Sequence, residues 1–126
     1  MTKQTLPKHT KTETAVGLAF DCLNGRRDGF SIDRDLNEPK SGFMVAGPQD
    51  LEYKVTDAKQ ARAIVESLFN QLLEGEYLGG WMHEGTLYLE ISANVKDILE
   101  ARFRASLYDQ IAIWDVEYQK EITLKK

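Results

Sequence analysis

This sequence contains few of the residue types that commonly carry out chemistry in proteins. Its 126 residues include a single cysteine, Cys22, and two histidines, His9 and His83. One cysteine cannot form a disulfide within the chain, so nothing in the composition calls for an oxidising compartment. A zinc site would have to recruit carboxylates, because histidine and cysteine ligands are too few. The sequence therefore predicts neither a disulfide scaffold nor a metal centre.

Long apolar runs are also missing. No run approaches the roughly 18 residues that a membrane span requires, and the start of the chain lacks the apolar region of a secretory signal. The net charge is −4, from 16 basic and 20 acidic residues, which is the wrong sign for a chain-wide nucleic-acid binder. We expect a cytoplasmic protein.

Recognisable catalytic motifs are absent from the chain. It has no phosphate loop, no nucleophile elbow and no glycine pattern for dinucleotides. Residues 33–44 begin like a calcium loop, but Glu38 stands where glycine is needed and Met44 where the closing glutamate belongs. The sequence therefore predicts a protein that is not an enzyme and uses no cofactor and no metal.

The length favours a single domain preceded by a short tail. Residues 1–12 carry three lysines, no acidic residue and few apolar groups, a composition typical of a flexible basic tail. Residues 13–126 are numerous and apolar enough to bury one core. We therefore expect a tail over 1–12 and one domain over 13–126.

Apolar spacing predicts two main helices. The first follows an N-cap at Thr56 or Asp57, ends near Gly75 and repeats apolar residues every three or four positions. The second runs from about residue 95 to 108 with Asn94 as its cap. Its inward side is predicted to hold Val95, Ile98, Leu99, Phe103 and Leu107. Residues 14–23 fit a short helix, although a buried strand fits almost as well.

The remaining apolar segments read as strands. They are Gly29–Asp33, Gly42–Ala46, Leu51–Val55, Tyr77–Met82, Thr86–Ser92, Ile111–Val116 and Glu121–Leu124. The first two are predicted to form a hairpin with a long polar loop, and a tight turn at residues 83–85 predicts another hairpin. The order ββαββαβ indicates an α+β domain, with two helices packed on one face of a mostly antiparallel sheet.

The second hairpin contains the best candidate for a binding site. The two glycines of Gly79-Gly80-Trp81 leave the backbone open to close approach, and Trp81 is a large anchor beside them. The residues that we assign to partner binding are Trp81, His83, Glu84, Tyr88 and Glu90. In a competing interpretation, Trp81 and Trp114 are core residues and the glycines mark a bulge. A carboxylate-dependent hydrolase using Glu84 and Glu90 is a further alternative.

A small basic cluster supports an alternative function. Arg26, Arg27 and Arg34, together with the lysines of the tail, provide cations for phosphate groups, as in a nucleic-acid-binding protein. Asp28, Asp33 and Asp35 lie among these arginines, however, and favour pairing within the chain.

Two sets of core and turn residues carry a resemblance to known proteins. They are Gly29–Asp33 with Ser41–Ala46, and Tyr77–Trp81 with Leu87–Ser92 and Gln110–Asp115. Over residues 28–116 this pattern resembles small uncharacterised proteins carried by bacteriophages, prophages and plasmids, although the turn at 83–85 is shorter here. The resemblance contains no active-site motif. It implies a mobile-element accessory protein that binds and inhibits or modulates a host or defence protein.

Self-association is compatible with each of these interpretations. An edge strand at Leu51–Val55 or Glu121–Leu124 offers unpaired backbone groups through which two copies can join across a twofold axis. A homodimer is therefore an expected alternative to a monomer.

Overall fold

The computed structural model describes residues 8–47, 52–110 and 112–124. Within these residues the chain forms three helices and seven strands. In chain order they are α1 (Lys8–Leu23), β1 (Gly29–Ile32), β2 (Phe43–Ala46), β3 (Tyr53–Val55), α2 (Ala58–Phe69), β4 (Glu76–His83), β5 (Thr86–Val95), α3 (Ile98–Leu107), β6 (Ala112–Asp115) and β7 (Lys120–Thr123). None of the helices in the described ranges is both long and apolar enough to cross a membrane.

The strands form one antiparallel sheet, which confirms the predicted α+β class. The strand order is β1-β4-β5-β2-β6-β7, and β3 also pairs with β5. Strands β3 and β2 both pair with the same edge of β5. Strand β3 lies opposite Leu87–Leu89, and β2 lies opposite Ser92–Val95. Strand β4 pairs with the other side of β5 over eight residues. The β4–β5 hairpin is therefore the centre of the sheet.

The predicted hairpin between β1 and β2 is wrong. Strand β1 pairs with β4, whereas β2 pairs with β5 and β6. The tight turn of β4–β5 explains the difference, because Glu84 (φ 50°) and Gly85 (φ 81°) both adopt the left-handed backbone that a two-residue hairpin turn requires. Closing that turn costs less chain entropy than closing the long β1–β2 loop. The β4–β5 hairpin consequently lies between β1 and β2.

Helix α1 includes residues 8–12, whose composition predicts a flexible tail. Thr12 is buried, and the Lys11 ammonium lies 2.9 Å from the Asp35 carboxylate. Helix α1 packs beside α2, where Arg62 donates hydrogen bonds of 2.6 and 3.2 Å to Glu13. These contacts hold residues 8–12 in the helix although their composition is polar. Residues 1–7 lie outside the described residues.

Helix α2 begins as predicted but ends earlier. The Asp57 side chain caps it by accepting a hydrogen bond of 2.8 Å from the Gln60 backbone N–H. The helix ends at Phe69 with Asn70 as its C-cap, six residues before the end predicted from Gly75. Leu72 nevertheless remains buried in the turn that follows. The inward positions confirmed for α2 are Ala61, Val65, Leu68 and Phe69.

Helix α3 differs most from the prediction. Its N-cap is Asp97, because Asn94 and Val95 belong to β5. Of the five residues predicted to face inward, Val95 and Ile98 do pack in the core, but Leu99, Phe103 and Leu107 are 73%, 64% and 65% exposed. The fully buried residues of α3 are Ala101 and Ala105, which pack against Val45, Val95 and Ile113 of the sheet. Small alanine side chains let the helix axis come close to the strands, and the larger residues are left on the outer side.

All three helices pack on the same face of the sheet. The strand register places Leu78, Leu87 and Leu89 on that face under α1 and α2, and Val45 and Ile113 on it under α3. None of the helices among the described residues covers the opposite side of the sheet. We call that side the open face; it carries Lys54, Gly79, Trp81, Tyr88, Glu90 and Trp114.

Candidate functional site

An aromatic pair forms the centre of the open face. Trp81 of β4 and Tyr88 of β5 are cross-strand partners, and their rings stack with centroids 4.4 Å apart and planes 13° apart. His83 lies beside Trp81, with ring centroids 5.8 Å apart. Lys54 of β3 places its ammonium 5.8 Å from the centre of the Tyr88 ring. The site therefore combines residues from three strands.

Neither tryptophan is a core residue. Trp81 and Trp114 are each 41% exposed, so the competing interpretation that both are buried is wrong. Trp114 pairs with Met44, which is itself the partner of Asn94 on β5. The two tryptophans are separated by three strand spacings, about 14 Å across the sheet, and by about 20 Å along the strands. The exposed aromatic groups therefore lie near two diagonally opposite corners of the open face.

Gly79 and Gly80, the two glycines before Trp81, lie on opposite faces of the sheet and do not form a β-bulge. Pairing of β4 with β5 continues without interruption through Gly79 and Gly80. Gly80 lies on the helix face, where the ring of Phe30 occupies the space that a side chain would need. Gly79 lies on the open face opposite Glu90, and a Cβ there would meet nothing closer than 3.8 Å. Because Gly79 has no side chain, the sheet surface beside Trp81 and Glu90 carries no protruding group at this position.

Glu90 is a partly buried carboxyl group on the open face. Burial raises its pKa from 4.5 to about 7, and both the negative charge of Glu52 and a hydrogen bond between the two carboxyl groups add to this rise. Sequence reasoning missed Glu52 and Lys54, which come from the β3 segment. No local pattern links that segment to β5, because only the pairing of the strands brings them together.

The structure separates Glu84 from Glu90. Glu84 lies in the turn with 84% of its side chain exposed, and its carboxylate is 3.8 Å from the His83 ring nitrogen. Glu90 lies four residues beyond Thr86, the start of β5, which is about 13 Å along the strand. The two carboxylates therefore do not form the catalytic pair that a glutamate-dependent hydrolase at this hairpin requires.

The three arginines of the alternative nucleic-acid site lie in the loops next to β1. Arg26 is 3.5 Å from the Asp21 carboxylate, and Arg34 is exposed. Arg27 is half-buried at a cavity of about 200 Å³, whose other lining residues are Thr14, Leu18, Phe30, Ile32, Leu36 and Glu38. Acidic residues thus lie among these cations, as the sequence indicated.

Other chemistry-bearing residues are dispersed. Cys22 is buried in the core, and this burial raises the pKa of its thiol, which keeps it protonated. Within the described ranges no three histidine, cysteine or acidic side chains come together as a metal site. The Asp33 carboxylate accepts hydrogen bonds from the backbone N–H groups of Asp35 and Asn37, both 2.9 Å long. The acidic loop is thus held by its own backbone contacts.

We compared the chain with protein-family models, curated proteins and solved structures, and none of them matches it.

Glu90 should make the stability of the fold depend on pH. Its pKa is about 7 in the folded protein and near 4.5 when it is unburied, so the unfolded state releases the proton first. The free energy of unfolding should therefore fall as the pH rises from about 4.5 to 7, by an amount on the order of 3 kcal/mol for a shift of this size. Denaturant unfolding across this range should show a flatter profile for Glu90→Gln than for the wild type.

Glu84→Gln is the matched control, because it removes the same charge from an exposed turn of the same hairpin. Its stability profile should run parallel to that of the wild type. Equal slopes for Glu90→Gln and the wild type would show that Glu90 does not remain protonated in the folded protein.

Proposed function

We propose that this protein is a non-enzymatic interaction module that binds a partner protein through the open face of its sheet. One observation carries the proposal: the stacked Trp81–Tyr88 pair and Trp114 lie on a sheet surface that no described helix covers, and both tryptophans are 41% exposed. Tryptophan and tyrosine supply a disproportionate share of binding energy at protein interfaces.

The polar groups around the aromatic pair also suit a protein partner. Lys54, His83 and Glu84 surround the pair with groups that stay accessible to water. An aromatic centre with a polar rim is the usual arrangement of an interface between separately folded proteins. Trp114 lies about 14 Å across the sheet and about 20 Å along the strands from Trp81. Met44 and Ser92 between them are buried, so the aromatic pair and Trp114 are two separate contact points for a partner.

The charges of the open face disfavour nucleic acid as its ligand. Sheets that bind single strands combine stacking aromatic side chains with a basic groove along the backbone. Here the nearest carboxyl groups are Glu90, which follows Tyr88 on the same face and is partly protonated, and the negatively charged Glu52 that contacts it. Lys54 is the cation closest to the aromatic pair among the described contacts. A nucleic-acid-binding accessory protein using the tail, Arg26, Arg27 and Arg34 remains the alternative that the test below separates.

The resemblance to phage and plasmid accessory proteins suggests where the partner comes from. Small proteins of mobile elements often act by binding a factor of the bacterial host. We therefore propose a host or defence protein as the partner, with inhibition by occlusion as the mechanism. In that mechanism Trp81 enters a pocket of the partner, and the surrounding polar residues exclude water from the contact.

Affinity capture from bacterial lysate, with and without nuclease, tests the proposed function. We expect the wild-type protein to retain one stoichiometric protein partner that survives nuclease. Trp81→Ala should weaken that complex by roughly thirtyfold or more, because an anchoring tryptophan is worth at least about 2 kcal/mol. Binding of the purified partner by calorimetry measures the effect, and circular dichroism confirms that the variant is folded.

Tyr118→Ala is the matched control, because Tyr118 is also an exposed aromatic residue but lies in the turn between β6 and β7. It should bind the partner as the wild type does. Three results would contradict the proposal: no captured protein above background, capture that nuclease abolishes, or a partner that binds the Trp81→Ala, Trp114→Ala double variant normally. Abolition by nuclease would favour the nucleic-acid alternative.

A further inference from the structure

Helix α3 carries an exposed apolar row on the side opposite to the sheet. The row consists of Leu99, Phe103 and Leu107, which follow each other at intervals of four residues and so form one continuous ridge. Ala101 and Ala105, both fully buried, mark the other side of the helix. The three large side chains therefore point away from the protein's own core.

An apolar ridge of this kind is unusual on a monomer. Single exposed apolar residues are common, but contiguous apolar surface marks an interaction site. The row is adjacent neither to the aromatic pair nor to any other feature of the open face, because α3 packs on the opposite side of the sheet. It therefore calls for an explanation of its own.

The order of residues in the row makes it complementary to itself. Reading Leu99, Phe103 and Leu107 in either direction gives the same residues at the same spacing. A twofold axis through Phe103 therefore places Leu99 against Leu107 of a second copy and the two phenylalanines against each other. We infer that the protein forms a homodimer in which the α3 helices of two copies pack antiparallel along this row. Such an interface is isologous, as closed dimers require.

The charges beside the row support this arrangement. Glu100 and Arg104 lie on one flank, with their charged groups 3.4 Å apart within the helix. At 1.5 Å per residue, Glu100 is about 4.5 Å before Phe103 and Arg104 about 1.5 Å after it along the helix axis. The twofold axis brings this flank next to the same flank of the second copy. Each glutamate is then offset by only about 3 Å from the arginine of the other helix. Along the row the order is Glu100, Arg104 of the second copy, Arg104 and Glu100 of the second copy, so each glutamate is next to an arginine of the other helix and the two arginines lie at the centre.

Arg102 and Ser106 lie on the other flank. By the same spacing, Arg102 is offset by about 3 Å along the axis both from Ser106 and from Arg102 of the second copy. Ser106 is small and can accept a hydrogen bond from the guanidinium. The dimer would bury α3 between two sheets and leave both open faces directed outward. It also differs from the dimer through edge strands that the sequence suggests.

Sedimentation equilibrium of the full chain over a wide range of concentration tests the inference. We expect a mass near twice 14.3 kDa, falling to the monomer mass on dilution. Phe103→Glu should be monomeric throughout, with an unchanged circular dichroism spectrum, because the residue is 64% exposed and has no core role. Trp81→Ala, on the open face, should dimerise as the wild type does. A monomeric wild type, or a dimer that survives Phe103→Glu, would overturn the inference.

A charge exchange tests the antiparallel geometry itself. E100R and R104E each make one flank carry a single sign of charge, so each variant alone should dimerise roughly tenfold more weakly than the wild type. Mixed together, the two variants should form a heterodimer, because the positive flank of one meets the negative flank of the other. Failure of the mixture to associate more tightly than either variant alone would overturn the antiparallel arrangement. Neither result depends on the proposed partner of the open face.

Discussion

Truncating Leu89 to alanine should lower the free energy of unfolding by about 2–5 kcal/mol, the usual cost of removing a buried leucine side chain. Leu89 is fully buried on the helix face of β5, the central strand of the sheet, within the core that α1 and α2 cover. Its removal leaves a cavity that the neighbouring strands cannot close, because β4 and β3 hold β5 on both sides. Urea unfolding followed by circular dichroism measures the loss.

Leu99→Ala is the matched control for this prediction. The chemical change is the same, but Leu99 is 73% exposed on α3, so its effect should stay within about 0.5 kcal/mol. The measurement belongs at low protein concentration, where the proposed dimer does not contribute. Equal losses for the two variants would mean that α3 packs against the sheet through its apolar row, contrary to the structure.

Gly80→Ala should destabilise the fold by about 1–3 kcal/mol, the usual cost of overpacking a core. A Cβ at Gly80 would lie 2.8 Å from Cζ of Phe30 and would overlap its Cε1 atom. Phe30 packs in the core of β1, α1 and α2 and also lines the cavity beside Arg27. The added methyl group therefore either pushes the ring out of its core position or moves β1 away from β4, and both changes cost packing. Thermal and urea unfolding both report the effect.

Gly79→Ala makes the same substitution one residue earlier, on the open face. Its nearest neighbours would be the Glu90 carbonyl oxygen and the Ser92 hydroxyl, both at 3.8 Å, which is ordinary contact. Here we expect no loss of stability, and a gain of up to about 1 kcal/mol because alanine restricts the unfolded chain. A loss at Gly79 as large as that at Gly80 would contradict the assignment of the two glycines to opposite faces.

The two proposed contacts use opposite sides of the molecule. The open face presents aromatic and polar side chains, whereas the apolar row of α3 is purely hydrophobic between its charged flanks. A dimer joined through α3 would display two open faces pointing outward. Because the two open faces point in opposite directions, each can bind its own partner molecule.

Local sequence patterns predicted most of the helices and strands. The spacing of Ala61, Val65 and Leu68 identifies α2. Asp57 caps this helix by accepting a hydrogen bond from the backbone N–H of Gln60, only three residues away. The alternation of Leu87 and Leu89 with Tyr88 identifies both faces of β5. These features depend on residues a few positions apart, so local periodicity is sufficient to find them.

The candidate site was only partly predictable for the same reason. Trp81, His83, Tyr88 and Glu90 belong to one hairpin, and sequence alone placed them together. Glu52 and Lys54 join them through the pairing of β3 with β5, across more than thirty residues of chain. No periodicity within a segment reports such a pairing.

The sequence by itself determined the α+β class, the position of most elements and the amphipathic character of α3. Only the tertiary structure decided the strand order, which separates β1 from β2, and the direction in which α3 presents its apolar row. The physical reason is that periodicity shows a helix has two unlike sides without saying which one meets the core. In α3, Ala101 and Ala105 contact the sheet, because two small side chains allow close packing. Leu99, Phe103 and Leu107 therefore remain exposed on the outer side of the helix.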